Sequence, residues 1–406
     1  MSMLAAESDT NLAVVGRDKV PALRFGFLDG IRAFAALYVL FHHASQELMY
    51  RASSQPLPSR WIAMLRPMEF GHYAVDVFIV LSGFCLMLPV ARSRDGDLAG
   101  GFGGYLRRRA RRILPPYYAA FLISLALVCL RITAFPGRGE PSTATVLDSR
   151  VWLPHLLVVQ NVVARASGLV DPPLWSVATE WHIYFVFPLL LLPVYRKWGT
   201  VASVIAGLAT GLALFALFPH ATLVAAPWFI GLFAMGMAGA ILTVRWEQSE
   251  DAPYQSLPWG TVALVITAGF LLVGMGARGW FQSNRWVADI IVGAATFCLI
   301  QSLAAAKTAS RPSFLMAWLE SPLAVAIGAF SYSIYLIHYP LLQLTHTWLV
   351  NAHMAPDVRL PTMLIVVPVV VVVLSYLFHL AFERPFMRSR APRQAVAPQR
   401  TVNAES

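Results

Sequence analysis

The chain has 406 residues, of which 57% are hydrophobic and only 13% are charged, about half of the roughly 25% typical of soluble domains. A soluble globule cannot bury so much apolar surface, and the positive mean hydropathy of +0.61 argues against a disordered chain. The composition therefore predicts an all-α fold, a polytopic membrane bundle of helices. The net charge of +10 would also suit nucleic-acid binding, so the distribution of the charges matters.

Ten apolar stretches are long enough for a membrane-spanning helix, which needs roughly 20 residues. The predicted spans are 27–46, 71–90, 114–131, 174–194, 200–218, 227–244, 258–275, 287–305, 325–349 and 361–381. The shorter apolar segment 151–163 is predicted to be interfacial or re-entrant. One membrane domain, residues 27–386, is expected between two cytoplasmic tails, 1–26 and 387–406.

Lysine and arginine are asymmetrically distributed between the predicted loops. If both termini are cytoplasmic, 20 of the 31 basic residues fall in inner segments and 10 in outer segments, and Arg32 lies within a span. This asymmetry follows the positive-inside rule. The basic excess is therefore interpreted as a topology signal, and no nucleic-acid partner is predicted.

The three cysteines, Cys85, Cys129 and Cys298, each lie inside an apolar run without paired spacing. Such cysteines are typical small core residues. Neither a disulfide nor a metal site is predicted from them.

The first span carries Arg32 and His43, eleven residues apart. At about 100° per residue, eleven steps of a helix return to within roughly 20° of the start, so both side chains share one face about 16 Å apart along the axis. His42 points about 80° away. Charged residues inside a span are costly and mark functional sites. The alternative is that Arg32 snorkels to the inner headgroups and His43 caps the outer end.

The second span contains Asp76 one helical turn after His72, so these two side chains are predicted to form a hydrogen-bonded pair. Ser82 and Gly83 form a small, polar step in the middle of the membrane. Packing through small residues is the simpler interpretation of Gly83, and the role of Ser82 stays open.

Five arginines precede the third predicted span, among them Arg108, Arg109 and Arg112. Arg109 and Arg112 are three residues apart and share a helical face. Guanidinium groups pair bidentately with phosphates, so these arginines could bind a phosphorylated donor at the cytosolic side. The alternative is an anchor that contacts anionic lipid.

The fourth and ninth spans add further polar groups at depth. Glu180, with Trp175 nearby, is expected to need a partner such as Arg32 or an inner arginine. In the ninth span Tyr335 and His338 lie on one helical face. The alternatives are a structural ion pair between helices for Glu180 and interhelical hydrogen bonding for the ninth span.

The order of these motifs resembles acyltransferase family 3, the integral membrane O-acyltransferases, from about residue 25 to 386. The elements that carry the resemblance are Asp29-Gly30-Ile31-Arg32 with His43, Val75-Asp76-Val77-Phe78 through Ser82-Gly83-Phe84, Arg108 through Pro115, Trp175-Ser176 with Glu180, and Ser331-Tyr332-Ser333-Ile334-Tyr335-Leu336 to His338. Each element alone is weak, but five in this order are specific. The middle spans, 200–305, carry no family signature.

The resemblance implies an O-acyltransferase of the bacterial cytoplasmic membrane with acyl-CoA, most often acetyl-CoA, as co-substrate and no bound cofactor or metal. It implies His43 as general base on an acceptor hydroxyl at the outer face, and Arg32 as a residue that steers the donor or stabilises developing charge. Arg108, Arg109 and Arg112 would bind the CoA phosphates. Supporting roles are expected for Asp29, Asp76, Ser82, Trp175, Glu180, Tyr335 and His338.

The acceptor stays open between a cell-surface carbohydrate, a glycolipid and a glycosylated small molecule. The acyl chain length, the oligomeric state and the choice between direct transfer and an acyl-enzyme also stay open. The alternative function is a transporter or flippase for a glycolipid or an anionic substrate. It would show repeat symmetry or broken spans in both halves, which the sequence lacks.

Overall fold

A computed structural model describes residues 23–50, 57–130, 143–248, 254–311 and 313–387. Within these ranges the protein is helical and contains no strand, which confirms the all-α prediction. The two predicted tails lie almost entirely outside the described residues.

The first four helices lie between Phe27 and Cys129. They are α1 (Phe27–Tyr50), α2 (Ser59–Leu65), α3 (Tyr73–Arg92) and α4 (Gly101–Cys129). A 3₁₀ turn, Arg66–His72, joins α2 to α3. The arginines that precede the third predicted span lie on α4 itself, because this helix begins at Gly101 and continues through Pro115 and Pro116.

The predicted interfacial segment 151–163 is too short to span, as expected. It follows α5 (Thr143–Val146) and contains most of α6 (Ser149–Leu156), after which the chain runs through turns to residue 173. This segment is attached to α4, because the hydroxyls of Tyr117 and Tyr118 donate to the carbonyl oxygens of His155 and Leu156 at 2.9 and 2.7 Å.

The next helices are α7 (Leu174–Val186), α8 (Leu192–Leu217), α9 (Pro219–Thr222), α10 (Phe229–Gln248), α11 (Trp259–Gly276), α12 (Arg278–Ser283) and α13 (Arg285–Thr308). A π-helical turn connects α7 to α8. The run 174–217 is divided at Gly199, whose φ of 84° is a backbone conformation that glycine adopts readily. This break agrees with the predicted boundary between the spans 174–194 and 200–218.

The C-terminal part contains α14 (Phe314–Leu319), α15 (Pro322–Ala329), α16 (Ser331–Asn351), α17 (Pro356–Pro361), α18 (Val367–Phe378) and α19 (Arg384–Met387). The ninth predicted span, 325–349, corresponds to two helices, since α15 and α16 meet at Phe330 with a bend of 69°. The bend lets α15 pack against α1 while α16 packs along α1 and α18.

Six helical segments of the described chain are long and apolar enough to cross a membrane, and the bent pair α15–α16 would make a seventh. They support a multi-pass membrane protein. The full count of ten spans and the cytoplasmic position of the termini remain predictions.

The first turns of α3, α7, α10 and α13 lie together at one end of the bundle. The ring of Trp175 on α7 lies 6.0 Å from that of Phe229 on α10 and 5.7 Å from that of His72, just before α3. At the other end, Arg92 of α3 pairs with Glu247 of α10 at 2.6 Å. Helices α3 and α10 lie so close that an added Cβ at Gly83 or at Gly236 would fall 2.0 Å from a backbone oxygen of the other helix.

Candidate active site

A cleft inside the bundle is formed by five helices, α1, α3, α4, α7 and α16. It encloses about 820 Å³ of atom-free space, part of which is open to the outside. Its polar lining consists of Arg32, Ser82, Cys85, Arg109, Arg112, Ser176, Glu180, Tyr184, Ser331, Tyr332 and Tyr335.

Helical periodicity explains why these residues meet. The lining residues of α3 recur at intervals of three or four from Val75 to Leu86, and those of α7 recur in the same way from Ser176 to Tyr184. Residues three and four apart lie on one helical face. Because of the bend at Phe330, α16 begins at the cleft, and Ser331 and Tyr335 both face the cleft.

Glu180 lies in the cleft and accepts hydrogen bonds from two hydroxyls, those of Ser82 on α3 and Tyr184 on α7. The prediction that Glu180 pairs with Arg32 or an inner arginine is wrong for the described residues, among which Glu180 makes no salt bridge. The hydroxyls satisfy the carboxylate because α3 and α7 bring them closer than any guanidinium. Ser82, whose role was open, thus contacts a charged group directly.

Arg32 reaches the cleft from α1 and is held by two neighbours. One Nη donates to Asp29 Oδ1 at 2.8 Å and the other to Cys85 Sγ at 2.9 Å. The predicted supporting role of Asp29 therefore corresponds to a salt bridge that orients the guanidinium. The sequence suggested that Cys85 is only a small core residue, but its side chain lines the cleft.

Two of the three arginines predicted to bind the donor line the cleft, namely Arg109 and Arg112. Arg109 Nε is buried without a hydrogen-bond partner among the described residues. Arg108 lies outside the cleft, where its guanidinium donates to the carbonyl oxygen of Ala99 at 2.7 Å and its side chain is exposed.

Tyr335 lies in the cleft and contacts His338, one turn further along α16. Its hydroxyl lies 2.6 Å from the hydroxyl of Ser176 and 3.0 Å from the carbonyl oxygen of Pro173. The Tyr335 ring also contacts the ring of His338 one turn further along the helix, with 5.7 Å between the ring centroids.

His43 does not line the cleft and instead contacts His338. The distance from His338 Nε2 to His43 Nδ1 is 3.1 Å. Both rings are further bound to backbone, since His43 Nδ1 lies 3.1 Å from the carbonyl oxygen of Val39 and His338 Nδ1 lies 2.7 Å from that of Tyr335. The structure therefore brings together the two histidines that the sequence placed on separate spans.

His42 points elsewhere, as predicted from its position on the helix. Its Nδ1 lies 2.6 Å from the carbonyl oxygen of Met68, in the 3₁₀ turn before α3, and its side chain is buried. This contact fastens α1 to the turn.

The predicted hydrogen bond between His72 and Asp76 is wrong. His72 ends the 3₁₀ turn and Asp76 lies in the first turn of α3, with one ligand atom of each within 4.8 Å of the other, but neither carboxylate oxygen of Asp76 has a hydrogen-bond partner among the described residues. His72 instead contacts Arg285 and Asp289 of α13 and stacks on Trp175. Asp76 and Trp175 thus lie outside the cleft lining.

Arg285 and Asp289 were missed by the sequence analysis, because they lie in the middle spans that carry no family signature. Their spacing of four residues at the start of an apolar run was the sequence signal that could have identified them, since charged residues inside a span are costly.

The family model described as an acyltransferase domain matches residues 25–380, most of the chain. The chain therefore belongs to acyltransferase family 3. It is accordingly an enzyme that transfers acyl groups other than aminoacyl groups, built on membrane-type helices.

Curated relatives are similar at low identity. The acyltransferase MdmB of Streptomyces mycarofaciens is 26% identical over 404 residues, covering 92% of this chain and 95% of the relative. The peptidoglycan O-acetyltransferase OatA of Listeria monocytogenes is 24% identical over 78% of this chain, and the O-acetyltransferase OatA of Staphylococcus aureus is 22% identical over 80% of it. This chain spans about half the length of the two OatA proteins. No solved structure matches.

Proposed function

We propose that the protein transfers an acyl group from acyl-CoA to a hydroxyl of a carbohydrate or glycosylated acceptor, with His43 as general base. The observation that carries the proposal is the contact of His43 with His338, whose ring lies against that of Tyr335, a residue of the cleft that Arg32, Arg109 and Arg112 also line.

The donor end of the proposal depends on charge. Arg109 and Arg112 line the cleft on one face of α4, and Arg32 lines it from α1. Planar guanidinium groups suit phosphate oxygens, so the α4 pair would bind the phosphates of CoA. Arg32, fixed by Asp29 and Cys85, would steer the donor toward His43, which lies about 16 Å further along α1.

The base end of the proposal depends on the tautomers of two histidines. A carbonyl oxygen only accepts hydrogen bonds, so the contact with Tyr335 requires the proton of neutral His338 on Nδ1 and leaves Nε2 as an acceptor. His43 Nδ1 then faces two acceptors, His338 Nε2 and the carbonyl oxygen of Val39, and must carry the proton of that ring. The lone pair of His43 is thereby directed to Nε2, the atom that would take the acceptor proton.

The proposed transfer forms one bond and breaks another. The acceptor oxygen attacks the thioester carbonyl carbon while His43 Nε2 takes the hydroxyl proton, and collapse of the tetrahedral intermediate breaks the C–S bond. The CoA thiolate leaves and is protonated to the free thiol, and His43 returns its proton to solvent. In these reaction steps His338 holds the ring of His43 in one tautomer and does not touch the reacting atoms.

The acceptor class rests on the relatives. Two of them are named as O-acetyltransferases, one of peptidoglycan, which contains carbohydrate hydroxyls. We propose that the donor enters from the cytoplasm, that both termini lie there, and that the acceptor is met on the outer side of the bacterial inner membrane. The basic residues of α4 support this orientation under the positive-inside rule.

The proposal is tested with purified protein in detergent, ¹⁴C-acetyl-CoA and solubilised peptidoglycan fragments or a glycosylated small molecule as acceptor. We expect transfer of label to an acceptor hydroxyl with release of one CoA thiol per ester formed. His43→Ala should lower the rate at least about 100-fold, the lower range for loss of a general base.

The matched control is His42→Ala, which removes the neighbouring imidazole that binds the Met68 carbonyl. We expect this variant to keep most of the activity. Full activity in His43→Ala, at equal amounts of folded protein, would reject His43 as the base, and no consumption of any acyl-CoA by the wild type would reject the proposed donor.

A further inference from the structure

A second cluster of ionisable side chains lies outside the cleft, at the end of the bundle where α3, α7, α10 and α13 begin. It consists of His72, Asp76 and Asp289, which we call the His72 cluster. One ligand atom of each residue lies within 4.8 Å of those of the other two.

Asp76 is the unusual member of the His72 cluster. Its side chain is fully buried, and neither carboxylate oxygen has a hydrogen-bond partner among the described residues. A buried carboxylate without a partner is strongly unfavourable, because burial removes its hydration and nothing replaces it. The oxygens of Asp76 face the ligand atoms of His72 and Asp289, so a compensating group belongs between the three residues.

Asp289 is also fully buried but is oriented by a neighbour. Its Oδ2 accepts from the Trp228 indole N–H at 2.8 Å, and its Oδ1 lies 3.4 Å from His72 Nε2. The His72 ring is held in turn by stacking on Trp175 at 5.7 Å and 16°. Such outer contacts are typical of residues that present a ligand atom in a fixed direction.

Arg285 does not neutralise the cluster. It lies within 4.0 Å of neither carboxylate among the described residues, and one of its nitrogens lies 3.1 and 3.0 Å from the two ring nitrogens of His72. A neutral imidazole has one lone pair and one N–H, so binding of a cation through His72 Nε2 requires the ring proton on Nδ1 and requires Arg285 to turn away from the ring.

We infer that the His72 cluster binds a divalent transition-metal cation of the Mn²⁺ to Zn²⁺ range. One imidazole nitrogen and two carboxylate oxygens form a donor set that suits these ions. Metal–ligand bonds of about 2.1 Å place neighbouring ligand atoms roughly 3 to 4 Å apart. The ligand atoms of the His72 cluster lie within 4.8 Å of one another and reach this spacing by side-chain rotations that move each atom by about 1 Å. The ion enters past His72, whose side chain is 21% exposed.

The bound ion ties the first turn of α3 to the first turn of α13. It lies outside the cleft and takes no part in the proposed transfer, so the inference stands or falls independently of the proposed function. The sequence predicts no metal, because the cysteines lack paired spacing and because His72, Asp76 and Asp289 are spread over more than two hundred residues.

The test uses the full chain purified in detergent, treated with EDTA, dialysed, and titrated with MnCl₂ or ZnCl₂. We expect about one metal equivalent per chain by elemental analysis, an immobilised Mn²⁺ signal in electron paramagnetic resonance, and a higher Tm with metal than with EDTA. Asp76→Asn and Asp289→Asn should weaken binding at least about tenfold.

Asp171→Asn is the matched control, because Asp171 is another fully buried carboxylate, bound to Ser124 and outside the cluster. It should bind metal as the wild type does. The wild-type comparison of EDTA with added metal keeps the test decisive if a cluster variant fails to fold. Absence of bound metal and of a Tm shift in the wild type, or equal binding by Asp76→Asn and Asp171→Asn, would overturn the inference.

Discussion

At the residue scale, the sequence identified His43 as a candidate base but did not show which side chain contacts it. The spacing of eleven placed Arg32 and His43 on one face of α1, and both remain the residues proposed for the reaction. The partner of His43 lies 295 positions away on α16. No sequence pattern links them, because the contact depends on how two helices cross.

The proposed donor site leads to a prediction about the arginines of α4. Replacing Arg109 and Arg112 together with Gln should raise the KM for acyl-CoA at least about tenfold with a smaller change in kcat, since charge-assisted hydrogen bonds are worth about 1.5–3 kcal/mol each. Steady-state kinetics with varied acyl-CoA measures both constants.

Arg108→Gln is the control for that pair, because Arg108 points away from the cleft and binds the Ala99 carbonyl. It should leave the KM unchanged. If the double variant lowers only the amount of membrane-inserted protein, with normal kinetics per molecule, the arginines of α4 are lipid anchors and not donor ligands.

At the element scale, the bend at Phe330 decides which polar groups reach the cleft. A straight helix over 325–349 would direct the start of α16 elsewhere, whereas the 69° bend lets α15 follow α1 and brings Ser331 and Tyr335 to the cleft. The apolar run of the sequence predicts that a span exists here. It does not predict the bend, because the length of an apolar run does not determine where the helix axis turns.

The close packing of α3 on α10 predicts an effect of a single methyl group. In Gly236→Ala the new Cβ would lie 2.0 Å from the Val80 backbone oxygen, and backbone cannot move aside as a flexible side chain can. We expect a loss of about 1–3 kcal/mol in stability, the usual cost of overpacking, measured as a lower Tm in detergent.

Gly269→Ala on α11 provides the comparison, because a Cβ there has no neighbour within 4 Å. Alanine is favoured over glycine in a helix by roughly 0.5–1 kcal/mol, so this variant should be unchanged or slightly more stable. An equal Tm for the two variants would show that α3 and α10 are less tightly packed than described.

At the scale of the whole molecule, one buried acid outside the spans makes stability depend on pH. Burial raises the pKa of Asp171 from 3.8 to about 7, and a hydrogen bond from Ser124 offsets part of that rise. An acid whose pKa is higher in the folded state stabilises the fold at low pH, and this contribution is lost as the pH rises through the folded pKa. Stability should therefore fall between about pH 4 and 7.

Asp171→Asn keeps the neutral side chain at every pH and should remove this part of the pH dependence. Thermal unfolding in detergent at pH 5 and pH 8 measures the effect, and the variant should lose less Tm than the wild type between the two values. An identical loss in both proteins would show that Asp171 does not keep its proton in the folded state.

The sequence by itself determined the class of fold, the family and most of the polar residues of the cleft. These depend on local quantities, namely the length of apolar runs and the helical spacing of residues such as Arg32 and His43 or Arg109 and Arg112. Several predicted spans agree with helices of the structure to within a few residues, as 258–275 does with α11 (Trp259–Gly276).

Only the tertiary structure decided which of these groups are partners. It paired Glu180 with two hydroxyls instead of an arginine, placed Arg108 outside the cleft, and gathered His72, Asp76 and Asp289 from distant helices. The physical reason is that partner choice in a membrane bundle depends on helix bends, starting points and close approaches. These are set by packing between helices, which no single stretch of sequence contains.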